Sequence, residues 1–292
     1  MNILEELKQN KILLCDGAWG TFLQAKGMTP GECPELWNIT HRNEVLSIAE
    51  SYLQTGSDII ETNSFGGSIF KLSQYGLGDR VTEINKAAAS ISREAAGKDK
   101  HVAGSIGPTG KMLLMGDVTE NELYDAFCEQ AVALEKGGSD IIIIETMSAL
   151  DEASLAVRAA RENTKCTVAI TMTFTKTPKG EYRTMMGVSP AEMVISMKNA
   201  GAHIIGSNCG NGIEDMTGIV KVIRATDKKI PVLIQANAGI PELIDGKTVF
   251  RESPEMMASF VPELIKAGAN IIGGCCGTTP EHIKAIGKVL AR

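Results

Sequence analysis

A five-residue pattern recurs four times in this 292-residue chain: Gly56-Ser57-Asp58-Ile59-Ile60, Gly138-Ser139-Asp140-Ile141-Ile142, Gly201-Ala202-His203-Ile204-Ile205 and Gly268-Ala269-Asn270-Ile271-Ile272. Each copy reads as a glycine closing a helix and then a buried strand. Further apolar runs lie between the copies, so strands are expected at 12–15, 58–60, 101–103, 140–144, 167–172, 203–205, 231–235 and 270–272. Segments 44–54, 81–96, 120–136, 150–162, 191–200 and 254–267 carry apolar residues at spacings of three and four, the helical period. Alternating strands and helices require a parallel sheet, and eight such units predict an α/β fold of the (β/α)8 TIM-barrel type. A short helix over 2–10 precedes strand one. No linker or composition shift divides the chain, which reads as one domain over 1–292.

The four copies precede strands two, four, six and eight. Laid over one another without gaps, they align Asn63, Glu145, Asn208 and Cys275 at one position and Ser64, Thr146, Cys209 and Cys276 at the next. Alternate strands of such a barrel supply one layer of side chains, so both sets should ring the same mouth. Successive strand side chains face opposite ways. Adjacent Cys275 and Cys276 can therefore serve one site only if the chain bends, as Gly273, Gly274 and Gly277 permit. With Cys209 as the third thiol, the set suits a zinc ion that keeps one position for substrate and makes a substrate thiol a nucleophile. Cys15, Cys33, Cys128 and Cys166 read as core residues.

Asp16 and Glu145 are expected at the tops of buried strands with no cation adjacent in sequence, a setting that the ammonium group of an amino-acid substrate would satisfy. A distant arginine such as Arg183 is the competing partner. Asn63, Ser64, Asn208 and the amides of Gly17 and Ala18 could hold a substrate carboxylate. The longest irregular segments, 27–40, 107–119, 174–189 and 236–253, follow strands one, three, five and seven, on the side where barrel enzymes build sites. Met112, Met115, Met185 and Met186 fall in them and could form an apolar cover. His101 matches a D-x-H-x-x-G corrinoid pattern by chance, because it precedes a strand where that motif should follow one.

Composition removes other classes. A formal charge of -6 gives no basic footprint for nucleic acid. No run approaches a membrane span, and the first residues lack a signal-peptide pattern. Seven cysteines without such a pattern fit a reducing, cytoplasmic setting.

Asp16-Gly17-Ala18-Trp19-Gly20-Thr21, Glu61-Thr62-Asn63-Ser64-Phe65-Gly66, Gly104-Ser105-Ile106-Gly107-Pro108, Glu145-Thr146-Met147, Gly206-Ser207-Asn208-Cys209-Gly210, Asn237-Ala238-Gly239 and 273–279 together resemble, in order, the motifs of the homocysteine S-methyltransferase family. The likeness covers almost the whole chain. It is closest to the homocysteine module of cobalamin-dependent methionine synthase, notably at Pro108-Thr109-Gly110-Lys111 and Arg183-Thr184-Met185-Met186-Gly187. The resemblance implies zinc on Cys209, Cys275 and Cys276. It implies homocysteine held by its amino group at Asp16 and Glu145 and by its carboxylate near Gly17 and Ser64. It also implies methylcobalamin on a separate corrinoid protein as methyl donor, with S-methylmethionine or a betaine as the small-donor alternative. A non-catalytic zinc barrel within a larger methyltransferase complex is the alternative of another class.

Overall fold

The computed structural model describes residues 2–244 and 247–290. Eight parallel strands form its sheet: β1 (Leu13–Leu14), β2 (Ile59–Glu61), β3 (His101–Ile106), β4 (Ile141–Met147), β5 (Thr167–Met172), β6 (Ile204–Gly212), β7 (Val232–Asn237) and β8 (Ile271–Gly274). Neighbours pair in chain order, β8 returns to β1 through Leu13↔Ile271, and a parallel bridge between Cys15 and Ile59 closes the ring. The (β/α)8 expectation therefore holds.

Two apolar layers follow from the alternation of side chains. Leu13, Ile59, Ala103, Ile141, Ile143, Ala169, Ile204, Leu233 and Ile271 fill the barrel interior, while Ile60, Ile142, Ile144, Val168, Ile205, Ile234 and Ile272 face the surrounding helices. The expected N-terminal helix, α1 (Ile3–Lys8), begins with Asn2 accepting the amide of Leu4 and packs Ile3 and Leu7 onto the interior cluster. It stoppers the end of the barrel where strands begin. There His101 bonds to Glu6 Oε1 at 2.6 Å, which absorbs the histidine of the chance corrinoid match into structure.

Burial alone would raise the Glu6 carboxyl, but hydrogen bonds from Lys11 and His101 hold it below its ordinary 4.5. A lowered folded pKa gives stability that is present above the unfolded value and lost as pH falls through the folded one. Glu6→Gln is accordingly expected to cost about 1 kcal/mol at pH 7, a small figure because Lys11 is half in solvent. The difference from the parent should close in acid below about 4.5, which denaturant titrations at several pH values would measure.

The structure extends β2, β3, β4, β6, β7 and β8 beyond their expected ends, and in two of them the register breaks. β4 continues past Ile144 to Met147 and β6 past Ile205 to Gly212, each through a break in register. The cause is local: Thr146 and Cys209, equivalent residues of the repeat, both take left-handed backbone with φ 62 and φ 58. Each break turns the chain at the mouth and lets it resume pairing. The loops after β5 and β7 contain two-stranded ribbons, Thr175–Lys176 with Tyr182–Arg183 and Glu242–Ile244 with Lys247–Val249. Among the described residues, no helix is long and apolar enough to cross a membrane.

Candidate metal and substrate site

At the carboxyl mouth, the left-handed turn at Cys209 and the end of β8 bring three thiols together. The sulfurs of Cys209, Cys275 and Cys276 lie within 4.8 Å of one another, and Cys209 Sγ is 3.9 Å from Cys276 Sγ. Hydrogen bonds from the Cys275 and Cys276 thiols hold the Cys209 thiol far below its ordinary range. Contacts with Cys209 and Cys276 raise Cys275, and the contact with Cys209 together with burial pushes Cys276 up to about 11. A cation bound by all three thiols must displace their protons.

The thiols open on a cavity of about 270 Å³ that Gly17, Trp19, Asn63, Ser64, Ser105, Glu61, Glu145 and Gln235 also line. Glu145 is buried, accepts from Ser105 Oγ, and accepts from Asn208 Nδ2 at 3.0 Å. Asn208 is fully buried. Its Oδ1 accepts from the Thr146 amide at 2.8 Å and from Thr171 Oγ1 at 2.7 Å, and its Nδ2 lies 3.9 Å from Cys275 Sγ. The amide therefore braces the carboxylate against the thiol cluster. Asn63 Nδ2 donates to the Pro34 carbonyl at 2.7 Å, and Ser64 Oγ donates to the Ser105 carbonyl at 2.7 Å. Gly17 borders the cavity, whereas the Ala18 amide is taken by Thr278 Oγ1 at 3.1 Å.

Asp16 is completely buried, and its Oδ2 accepts from Trp19 Nε1 and from the Glu61 amide, both at 2.9 Å. It stands behind the cavity wall rather than among the lining residues. Arg183 pairs with Glu181 and Glu192 at the surface and reaches neither Asp16 nor Glu145. Burial raises Asp16 to about 6 and Glu145 to about 7, and it drives Glu61 well above the carboxylate range. Glu61 lies within the Glu61–Gly66 motif, but no role is expected for it from the sequence. The signal was present: at its repeat position the other copies carry Ile143, Gly206 and Gly273, so a carboxylate there is out of pattern.

Cys15, Cys33 and Cys166 are buried away from the thiol cluster, and Cys128 is half-buried on the helix Glu120–Gly137. Met115 and Met185 are strongly exposed, with Met112 and Met186 less so, which makes the methionines a rim rather than a closed cover.

Three thiols beside an acidic cavity, at the carboxyl mouth of a parallel barrel, define a barrel protein whose chemistry centres on sulfur. The homocysteine S-methyltransferase family model matches residues 13–290, and the chain belongs to that family of methyltransferases acting on homocysteine. It is 29% identical over 307 residues to the methionine synthase of Mycobacterium tuberculosis (strain ATCC 25618 / H37Rv), an alignment that takes in 99% of this chain and 25% of that protein. The methionine synthase of Mycobacterium leprae (strain TN) is 29% identical over 308 residues, covering 100% of this chain and 25% of that one. The chain thus spans about a quarter of the length of these curated relatives. The solved homocysteine methyltransferase MmuM from Escherichia coli shares the fold. Its metallated form has a TM-score of 0.78 at 21% identity over 96% of both chains, and its oxidized form 0.79 at 22% over 99% of both.

Proposed function

We propose that the chain methylates the thiol of homocysteine to give methionine, with zinc on Cys209, Cys275 and Cys276 and the methyl group delivered by a corrinoid carried on a partner. The observation that carries this reading is the meeting of three thiols with an acidic cavity that has no lysine, arginine or histidine among its described lining residues. The donor set fits the metal. Tetrahedral zinc with bonds of about 2.3 Å places its sulfurs about 3.8 Å apart, close to the 3.9 Å between Cys209 and Cys276. Zinc bound there would keep an incoming thiol as thiolate at neutral pH, where a free thiol is mostly protonated.

The chain's own residues supply the remainder. Glu145, with Asp16 behind the wall, gives the cavity the charge that an ammonium group needs. The Gly17 and Ser64 end borders the place for the carboxylate, and Asn208 holds Glu145 in register with the thiols. Fixing the sulfur in line with the methyl carbon makes the transfer effectively unimolecular. The new sulfur–carbon bond forms as the methyl–donor bond breaks, and its electron pair leaves with the donor. Glu145→Gln is expected to weaken homocysteine binding about tenfold with zinc content unchanged. Titration calorimetry beside metal analysis would read both quantities.

A large donor is favoured by the rim of the mouth. Leu114, Met115, Met185, Ile240 and Leu243 are each 68% or more exposed, more apolar surface than a small freely diffusing donor calls for. The test offers homocysteine with methylcobalamin, S-methylmethionine or glycine betaine in parallel. Methionine from methylcobalamin is the expected result. Turnover with a small donor alone would overturn the corrinoid, and no methionine from any donor would overturn the acceptor.

A further inference from the structure

A second cavity lies at the other end of the barrel from the thiols. Its volume is about 560 Å³, in the range of small-molecule sites. His203, Pro231 and Asn270, the residues that lead into β6, β7 and β8, border it, so it belongs to the face where strands begin. α1 contributes Leu4, Leu7 and Lys8, and the turn after the helix Ile213–Thr226 contributes Lys228 and Lys229. No aspartate or glutamate is among its described lining residues, although the chain carries a net charge of -6. The ion pairs of the described lysines involve Lys11, Lys100, Lys111, Lys176 and Lys198, none of which borders this cavity.

The wall holds a further cation. Arg224 is half-buried and gives its N–H groups to neutral oxygens: the Gly268 carbonyl at 2.7 and 3.1 Å, Asn270 Oδ1 at 2.7 Å, and the carbonyls of Asp227 and Ile230. The Asp227 carboxylate is engaged elsewhere, by Lys198 and by the amides of Lys229 and Ile230. A guanidinium is always charged, and one fixed in a wall without a carboxylate costs free energy that a nearby anion offsets. His203 adds a neutral donor. Its Nδ1 accepts the Val168 amide at 2.9 Å, which leaves the proton on Nε2, and burial with the charge of Arg161 holds the ring below its ordinary 6.5. A basic cleft with apolar walls concentrates anions.

We propose that this cavity binds an organic phosphate, with the phosphate at Lys8, Lys228, Lys229 and His203 under the field of Arg224, and the organic body against Leu4, Leu7 and Pro231. These cations exceed what one carboxylate offsets, whereas a phosphate monoester brings nearly two charges and three acceptor oxygens. The volume leaves room for a body beside the anion, and the leucines give that body an apolar surface. The site does not depend on the methyl transfer proposed above, because the packed barrel interior separates the two.

The probes are adenosine 5′-monophosphate, adenosine and inorganic phosphate, each titrated into the zinc-loaded chain by calorimetry at fixed ionic strength. The nucleotide is expected to bind about tenfold more tightly than either of its parts, because it alone occupies both halves of the cavity. Lys228→Ala combined with Lys229→Ala should weaken it about tenfold, and both lysines are exposed, so the barrel should stay folded. Lys26→Ala combined with Lys179→Ala makes the same change of charge in the segments after β1 and β5 and should leave affinity within about twofold. Equal losses in the two double variants, or no nucleotide binding at millimolar concentration, would overturn the site. Inorganic phosphate held as tightly as the nucleotide would mean an adventitious ion only and would overturn the organic ligand.

Discussion

Replacing Cys209 by alanine is expected to release zinc and to reduce methyl transfer to below about a thousandth of the parent rate, because two thiols cannot hold the ion and the substrate thiol then stays largely protonated. The geometry makes Cys209 the decisive member of the set. It comes from β6 while the other two come from the end of β8, and its backbone is turned into the left-handed region to do so. Left-handed backbone is costly for a residue with a side chain, on the order of 1 kcal/mol. Alanine inherits that backbone without the sulfur, so a folded but metal-free barrel should result. Cys128→Ala serves as control, since Cys128 sits on an outer helix and should keep full metal. Metal analysis, circular dichroism and a methionine assay on the three proteins check the prediction. Full zinc in the Cys209 variant would remove Cys209 from the ligand set.

The second large effect is expected at Gly206→Ala. Gly206 pairs with Leu233 and shares the inward side of β6 with Ile204 and Asn208. A Cβ there would stand 1.7 Å from the Leu233 carbonyl oxygen and 2.7 Å from its carbon. The obstacle is backbone held in the β6–β7 ladder, so relief requires breaking that pairing two residues below Asn208. A stability loss of about 3 kcal/mol or more is expected, with a fall in melting temperature of about 6 °C or more. Any folded remainder should bind zinc more weakly, because β6 carries Cys209. Thermal unfolding with metal titration reads both. An unchanged melting temperature would mean that the ladder yields at this point without cost.

The glycine–small–x–Ile–Ile repeat made the barrel legible, because a helix cap followed by a strand at even-numbered positions leaves little freedom of topology. It also located the thiols, since the register that equates Cys209 with Cys276 and Asn208 with Cys275 is the register of the mouth. What the repeat could not supply was backbone conformation. Thr146 and Cys209 share a left-handed turn that neither residue type favours, and this turn lengthened β4 and β6 beyond the reach of their isoleucine runs.

Side-chain direction was hidden for a related reason. Asp16 and Glu145 looked equivalent as carboxylates at strand tops, yet β1 ends so early that Asp16 turns back onto Trp19 and the amide of Glu61. Glu61 sits two positions below the aligned ring, in a layer where apolar or absent side chains are the rule. Its pairing with Gln235 crosses 174 residues of chain, and no local pattern announces a contact of that range.

The central claim is that three thiolates of this chain hold zinc and leave a position for the substrate's sulfur. X-ray absorption at the zinc edge, on metal-loaded protein before and after homocysteine, tests it most directly. The account predicts a fourth sulfur at about 2.3 Å when homocysteine is added, in place of a lighter atom. A zinc shell already closed by protein, unchanged by saturating homocysteine, would contradict it.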